Sequence, residues 1–146
     1  MDVPVALYRE AQQHTDDLLR EIVLMAAYET ASGASGAASR LAAGAERHSA
    51  RRDALAVTGE RVVAAATGDS VTIEYVVDVG DADDATSWGE MLDEIGELCG
   101  SGVMLVVGKP DAVAFSRWFC EEFVRQLRDG AEPTPWPEYA AARRPG

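Results

Sequence analysis

Cysteine is almost missing from this chain: Cys99 and Cys120 are the only two in 146 residues. That scarcity excludes a disulfide-dense scaffold. Both positions look apolar-facing, so buried thiols in a reducing compartment are a simpler reading than a single bridge. Lysine is scarcer still. Lys109 is the one lysine, and the other twelve of the 13 basic residues are arginine, which with abundant Ala and Gly points to a GC-rich genome rather than to a function. Basic charge as a whole is short, 13 residues against 25 acids for a net −12. Nucleic-acid backbones and anionic membrane surfaces need many cations at their interface, so neither is expected as a partner.

Long apolar runs are absent as well. Nothing approaches the roughly 18 uninterrupted apolar residues of a membrane span. The opening MDVPVALYREAQQ has no basic start followed by an apolar stretch, so a cytoplasmic protein is expected. Catalytic signatures are missing too. There is no GxSxG, no phosphate-binding or glycine-rich ATP loop, and no His/Cys/Glu set at metal spacing. Cys99 and Cys120 sit inside hydrophobic stripes, where a thiolate is disfavoured. A non-enzyme without cofactor or metal is the expectation.

What the chain does have is 47% hydrophobic residues, enough for one continuous core. One domain over residues 1–130 is expected, followed by a Pro/Trp-containing tail over 131–146. Asp2-Val3-Pro4 reads as a helix start, and Leu7, Ala11, His14, Leu18, Ile22 and Met25 then recur at helical spacing to about Tyr28 or Glu29. Asp16 and Arg20 form an i,i+4 pair on the wet side. Thr30 to Ser39 reads as a connector, its Gly33 and Gly36 being a weak anion cradle at most. Arg40 to Thr67 is Ala-rich and predicts one or two helices, weakened near Gly44 and Gly59, with Glu46, Arg47, Arg51, Arg52 and Asp53 as a solvated charged face.

Val71, Ile73, Tyr75 and Val77 alternate with polar residues and predict a first strand, and the apolar run Val103 to Val107 predicts a second, buried one. Gly80 to Asp84 reads as a turn. Ser87-Trp88-Gly89-Glu90 matches a capping box, so a helix is expected from there to Gly100 with Trp88, Met91, Leu92, Ile95, Leu98 and Cys99 inward. A last helix starts at Pro110 and carries Val113, Phe115, Trp118, Phe119, Cys120, Phe123, Val124 and Leu127, the densest aromatic stretch in the chain. Arg117–Glu121 and Glu121–Arg125 line its wet side. Pro133-Thr134-Pro135-Trp136-Pro137 is expected to be extended, with Trp136 either folded onto the body or presented to a partner.

His14 on the apolar stripe reads as a buried, hydrogen-bonded histidine rather than a ligand or phosphoacceptor, and His48 as exposed. Asp78, Asp81, Asp83 and Asp84 fail the spacing of an EF-hand loop and read as turn and capping residues. Asp78 with Lys109 superficially resembles a phosphoacceptor arrangement, but a receiver domain needs five strands and two are expected here.

Two stretches resemble a known family. The run Phe115-Ser116-Arg117-Trp118-Phe119, then Glu122-Phe123-Val124-Arg125-Gln126-Leu127, then Pro133-Thr134-Pro135-Trp136, is similar to the end of a regulatory domain of actinobacterial signalling proteins. Val3-Pro4-Val5, Tyr8, Ala11, Gln12, His14 and Asp17-Leu18-Leu19-Arg20-Glu21 resemble its beginning. Those proteins often carry the domain beside an anti-sigma-type ATP-binding domain of the histidine-kinase-like superfamily. The resemblance implies a non-catalytic module in a partner-switching pathway, with an anti-sigma kinase, phosphatase or related regulator as protein partner. The ATP-binding domain's own asparagine and glycine boxes are missing, so kinase activity is not implied.

The expectation is therefore a mostly helical α+β domain with a long N-terminal helix and a small two-stranded β element. Its role is protein interaction, through a contact patch of Arg117, Trp118, Arg125 and Trp136, and the long first helix offers a route to a homodimer. The rival reading is a small-molecule sensor with a pocket between helices and strands that includes His14, Tyr75 and Phe119. An enzyme using His14 with acids near Asp78 comes third.

Overall fold

Apolar side chains at steps of three and four drive Val5–Ala31 into one helix, α1, whose buried stripe is Val5, Tyr8, Ala11, Leu18 and Ile22. The computed structural model describes residues 1–33 and 36–143. Among them are four further helices, α2 (Ala37–Ala65), α3 (Gly80–Gly100), α4 (Pro110–Asp129) and α5 (Trp136–Arg143), and two short strands, β1 (Asp2–Pro4) and β2 (Ser70–Thr72). The fold is thus mostly helical α+β with a long first helix and a small β element, as the sequence implied.

Helix α2 runs antiparallel along α1. Tyr8 near the start of α1 meets Gly59 near the end of α2, and Glu29 near the end of α1 meets Ser39 near the start of α2. Helices α3 and α4 form a second antiparallel pair, held at its surface by Arg117–Asp93 and Arg128–Asp83. Helix α4 also packs on α1, whereas α2 and α4 barely meet. Two clusters of buried side chains result. One joins Val3, Tyr8, Ile73, Phe115, Trp118 and Trp136, and the other Leu18, Ile22, Leu41, Met91, Ile95 and Met104.

The β element departs from expectation in its parts. Strand β2 keeps only the start of the predicted first strand, and it pairs antiparallel with β1, with Val3 opposite Val71. Asp2-Val3-Pro4, expected to open a helix, is that partner. The Met1 amino group donates to the Ile73 carbonyl (2.7 Å) and the Ile73 N–H donates to the Met1 carbonyl (2.8 Å), extending the pairing. Val103 to Val107 is not a strand. Its Leu105 and Val106 amides donate to the Glu21 carboxylate (2.6 and 2.8 Å), so a side chain stands where a neighbouring strand would. Only Met104 of that run is buried, and Leu105 and Val107 are each 86% exposed.

Helix boundaries moved for local reasons. Helix α3 begins at Gly80, seven residues before the expected capping box, because Asp78 accepts from the Gly80 N–H (2.8 Å) and Asp81 and Asp83 favour the positive N-terminal end. Ser87 is therefore mid-helix. Helix α2 passes through Gly44 and Gly59 unbroken. Residues 34 and 35 of the expected connector, and 144–146 of the tail, lie outside the described residues. The anion position over the start of α2 is filled internally: Glu29 accepts from Ser39 N–H (2.9 Å), Ser39 Oγ (2.6 Å) and Gly36 N–H (3.2 Å). Those bonds, the Ser39 hydroxyl first, hold the Glu29 carboxyl below its ordinary value.

Candidate functional site

The gap between α2 and α4 is a cavity of about 350 Å³. Each of the four long helices turns one stripe of side chains toward it, spaced by three or four residues as a helical face requires. Tyr8, Gln12, Thr15 and Asp16 come from α1; His48, Arg51, Arg52, Ala56 and Glu60 from α2; Asp81, Asp84, Ala85 and Trp88 from α3; and Phe115, Phe119, Cys120 and Phe123 from α4. Tyr75 enters from the segment between β2 and α3.

Aromatic rings in edge-to-face contact form the wall. The Tyr8 and Phe119 centroids lie 6.4 Å apart at 62°, Tyr75 and Phe119 5.9 Å at 86°, and Tyr75 and Phe123 5.8 Å at 64°. Both tyrosine hydroxyls point at α2 where it has Gly59. A Cβ there would collide with Tyr8 Oη and crowd Tyr75 Oη, which explains a glycine inside a long helix despite its roughly 1 kcal/mol propensity cost. Gln12 Nε2 donates to Tyr8 Oη (2.9 Å). Burial raises both phenol pKa values, so the hydroxyls stay protonated.

The rim is charged, and its cations are already matched. Arg51 grips Asp81 with two nitrogens; Asp81 is 5% exposed and also accepts from the Asp78 N–H (2.7 Å). The Arg51 contact holds the Asp81 carboxyl below its usual value. His48 Nδ1 lies 3.1 Å from Asp84 Oδ1, so this histidine is a rim residue rather than the exposed one expected. Arg52 lies 5.2 Å from the Trp88 ring centre and donates to Asp53 (2.7 Å). The solvated charged face expected around Arg51 and Arg52 is in fact half of this rim. Asp16 and Glu60, both exposed, have no ion-pair partner among the described residues.

On α4 the cavity has one thiol and one serine hydroxyl. Burial pushes the Cys120 thiol up to about 12, and the Ser116 hydroxyl donates to the Ala112 carbonyl (3.1 Å). Cys99 is likewise a free thiol whose pKa is raised by burial and by Glu21.

Of the three expected pocket residues, Tyr75 and Phe119 line the cavity and His14 does not. His14 is half-buried against Gly108, where any side chain would strike its ring, and burial lowers its pKa against the opposing pull of Asp17. Asp81 and Asp84, acids close to Asp78, do line the cavity, but His14 does not, so the third reading's partners share no cleft.

The expected contact patch is corrected more heavily. Trp118 is 1% exposed and Trp136 8%, because both rings pack on Phe115, at 5.1 and 5.4 Å between centroids. Trp118 Nε1 donates to the Thr134 carbonyl (3.1 Å). Arg125 binds the buried Glu122 (2.9 Å) and the Thr134 hydroxyl (2.7 Å), and Glu122 accepts from the Thr134 N–H (2.8 Å). These residues clamp the tail onto α4, and over Trp136–Arg143 the tail is helical, not extended. Arg117 pairs with Asp93 across to α3, not with Glu121, which instead meets Tyr139 (3.0 Å) and Arg143 (3.1 Å). Arg20 likewise pairs with Asp17 (3.1 Å) rather than Asp16.

Comparison with protein-family models, with curated proteins and with solved structures returns no match. No helix among the described residues is long and apolar enough to cross a membrane.

Proposed function

We propose that this chain is a non-catalytic regulatory domain whose input is a small molecule held between α2 and α4. The observation that carries the reading is the aromatic-walled cavity itself: apolar rings, a few polar tips and a charged rim are the usual composition of a ligand site. The raised pKa of the Cys120 thiol and the Ser116 hydroxyl's bond to its own helix support binding rather than covalent chemistry as its use. The sensor reading moves ahead of the interaction reading because the two tryptophans meant to anchor a partner are core residues.

The output is a protein partner. The resemblance to actinobacterial regulatory domains supports a place in an anti-sigma or partner-switching pathway, in the cytoplasm. The exposed apolar side chains of Leu105 and Val107, with Leu24 (71%) and Tyr28 (76%) on the same α1 stripe as Glu21, favour this part of the surface for the output contact.

A ligand that binds only the folded chain raises its melting temperature. A thermal-shift screen of metabolites on the wild type and on Ala56→Trp, which fills the cavity from α2, tests the input. Hits whose shift disappears in Ala56→Trp support the reading. Hits that shift both proteins equally place the site elsewhere and refute it.

A further inference from the structure

We infer that the cavity's ligand is an organic cation with an aromatic or otherwise apolar body; this rests on the ligand-binding reading above. The lining carries five carboxylates, Asp16, Asp53, Glu60, Asp81 and Asp84, against two guanidinium groups and one imidazole. The pairing of these groups decides the sign of the guest. Arg51 is held by Asp81, Arg52 by Asp53 and the Trp88 ring, and His48 by Asp84. An anion entering the site would have to take one of these cations from its carboxylate. Taking Arg51 would strand Asp81, which is sheltered from water and has no other cationic partner among the described residues.

A cation meets no such obstacle. Asp16 on α1 and Glu60 on α2 stand on the same rim, both within the lining and both without a counter-ion among the described residues. They flank Tyr8, whose hydroxyl feels the Glu60 charge and is held by Gln12, the residue one helical turn before Asp16. Behind them lie the rings of Tyr8, Tyr75, Phe119 and Phe123, whose apolar bulk suits the guest's apolar body. The chain's net charge of −12 adds a field that concentrates cations near the rim. The cavity, about 350 Å³, takes a guest of one to a few fused rings, with the charged group left at the rim beside Asp16 and Glu60.

Two probes with one aromatic body and opposite charge test the inference: (naphthylmethyl)trimethylammonium and naphthalenesulfonate, titrated by calorimetry into the full chain. The ammonium is expected to bind at least about ten-fold tighter than the sulfonate, in proportion to the 1.4 kcal/mol that a ten-fold ratio represents. Asp16→Asn with Glu60→Gln should remove that preference without moving the melting temperature by more than a degree or two, since both carboxylates are exposed. Ala56→Trp should abolish binding of either probe. Equal affinity for both probes, or a preference for the sulfonate, with binding lost in Ala56→Trp, overturns the cation assignment and leaves the ligand-binding reading standing. Full ammonium affinity in the Asn/Gln variant also overturns it. Binding of neither probe, or binding unaffected by Ala56→Trp, overturns the cavity reading itself.

Discussion

Helix α1 runs past two cores built from different materials. Its first half, with Val5, Tyr8 and Ala11, joins a cluster dominated by rings: Phe115, Trp118, Trp136 and, at its edge, Tyr75 and Phe119. Its second half, with Leu18 and Ile22, joins Leu41, Met91, Ile95 and Met104, an aliphatic and thioether cluster. Rings are rigid, prefer edge-to-face contacts, and carry polar tips that require partners, as Trp118 Nε1 finds in Thr134 and Tyr8 Oη in Gln12. Methionine bends to fill irregular space. The cavity borders the first cluster, where α2 draws away from α4 and Phe115, Phe119 and Phe123 face the gap. One half of the molecule is thus a fixed frame around a space, and the other is filler that holds the two helix pairs together.

The largest effect that could break this comparison is in the frame. Trp118→Ala should cost about 3–5 kcal/mol in chemical denaturation, because it empties a fully buried site and frees the tail at Thr134. A loss under about 1 kcal/mol would mean that the aromatic cluster is no frame at all. Gly59→Ala comes next. Alanine normally stabilises a helix, yet here its Cβ meets Tyr8 Oη, so a loss of about 1–3 kcal/mol is expected. Tyr8→Phe should recover only part of that loss in the double variant, because the Tyr8 ring carbon Cζ and the Tyr75 hydroxyl remain close to the new Cβ, and simple additivity would show that the Tyr8 hydroxyl is not an obstacle.

The filler should be forgiving. Met91→Leu and Met104→Leu conserve volume and should each cost below about 1.5 kcal/mol, without changing ligand affinity at the cavity. The smallest effect is the acid limb of the stability profile. Arg51 lowers the Asp81 pKa in the folded chain, so in acid the unfolded chain takes up that proton first. The contribution is complete above the ordinary carboxylate range and is lost as pH falls through it toward the lower folded value. Asp81→Asn should flatten that limb by a modest amount, since Arg51 is partly exposed and water screens the pair. An unchanged limb in Asp81→Asn would remove this pair from the rim's electrostatics.

The frame's helices were legible in the sequence. Pro110 and Asp111 mark the start of α4, Gly100 ends α3, and the α1 stripe needs only a 3.6-residue period. Signals that depend on distant neighbours were not. Val103 to Val107 has the composition of a strand, but whether it pairs is decided by Glu21 on α1, which takes the amides of Leu105 and Val106. Ser87 to Glu90 satisfies a capping pattern that the Asp78 turn pre-empts. Of the cavity's wall, Tyr75 and Phe119 were legible in the sequence. The charged rim has the pattern of solvated surface, because His48, Arg51 and Arg52 look like any charged helix face until α3 brings Asp81, Asp84 and Trp88 across from them. Gly59 was the one local hint, a helix-weakening residue whose reason lies in the tyrosines facing it.

The three tryptophans divide between the two roles, Trp88 on the cavity and Trp118 and Trp136 in the frame. Fluorine NMR of the 5-fluorotryptophan-labelled chain, titrated with the naphthyl ammonium probe, therefore reads the central claim directly. The Trp88 resonance should move progressively with probe concentration while those of Trp118 and Trp136 stay in place. A stationary Trp88, or a displacement shared equally by all three, would contradict the account.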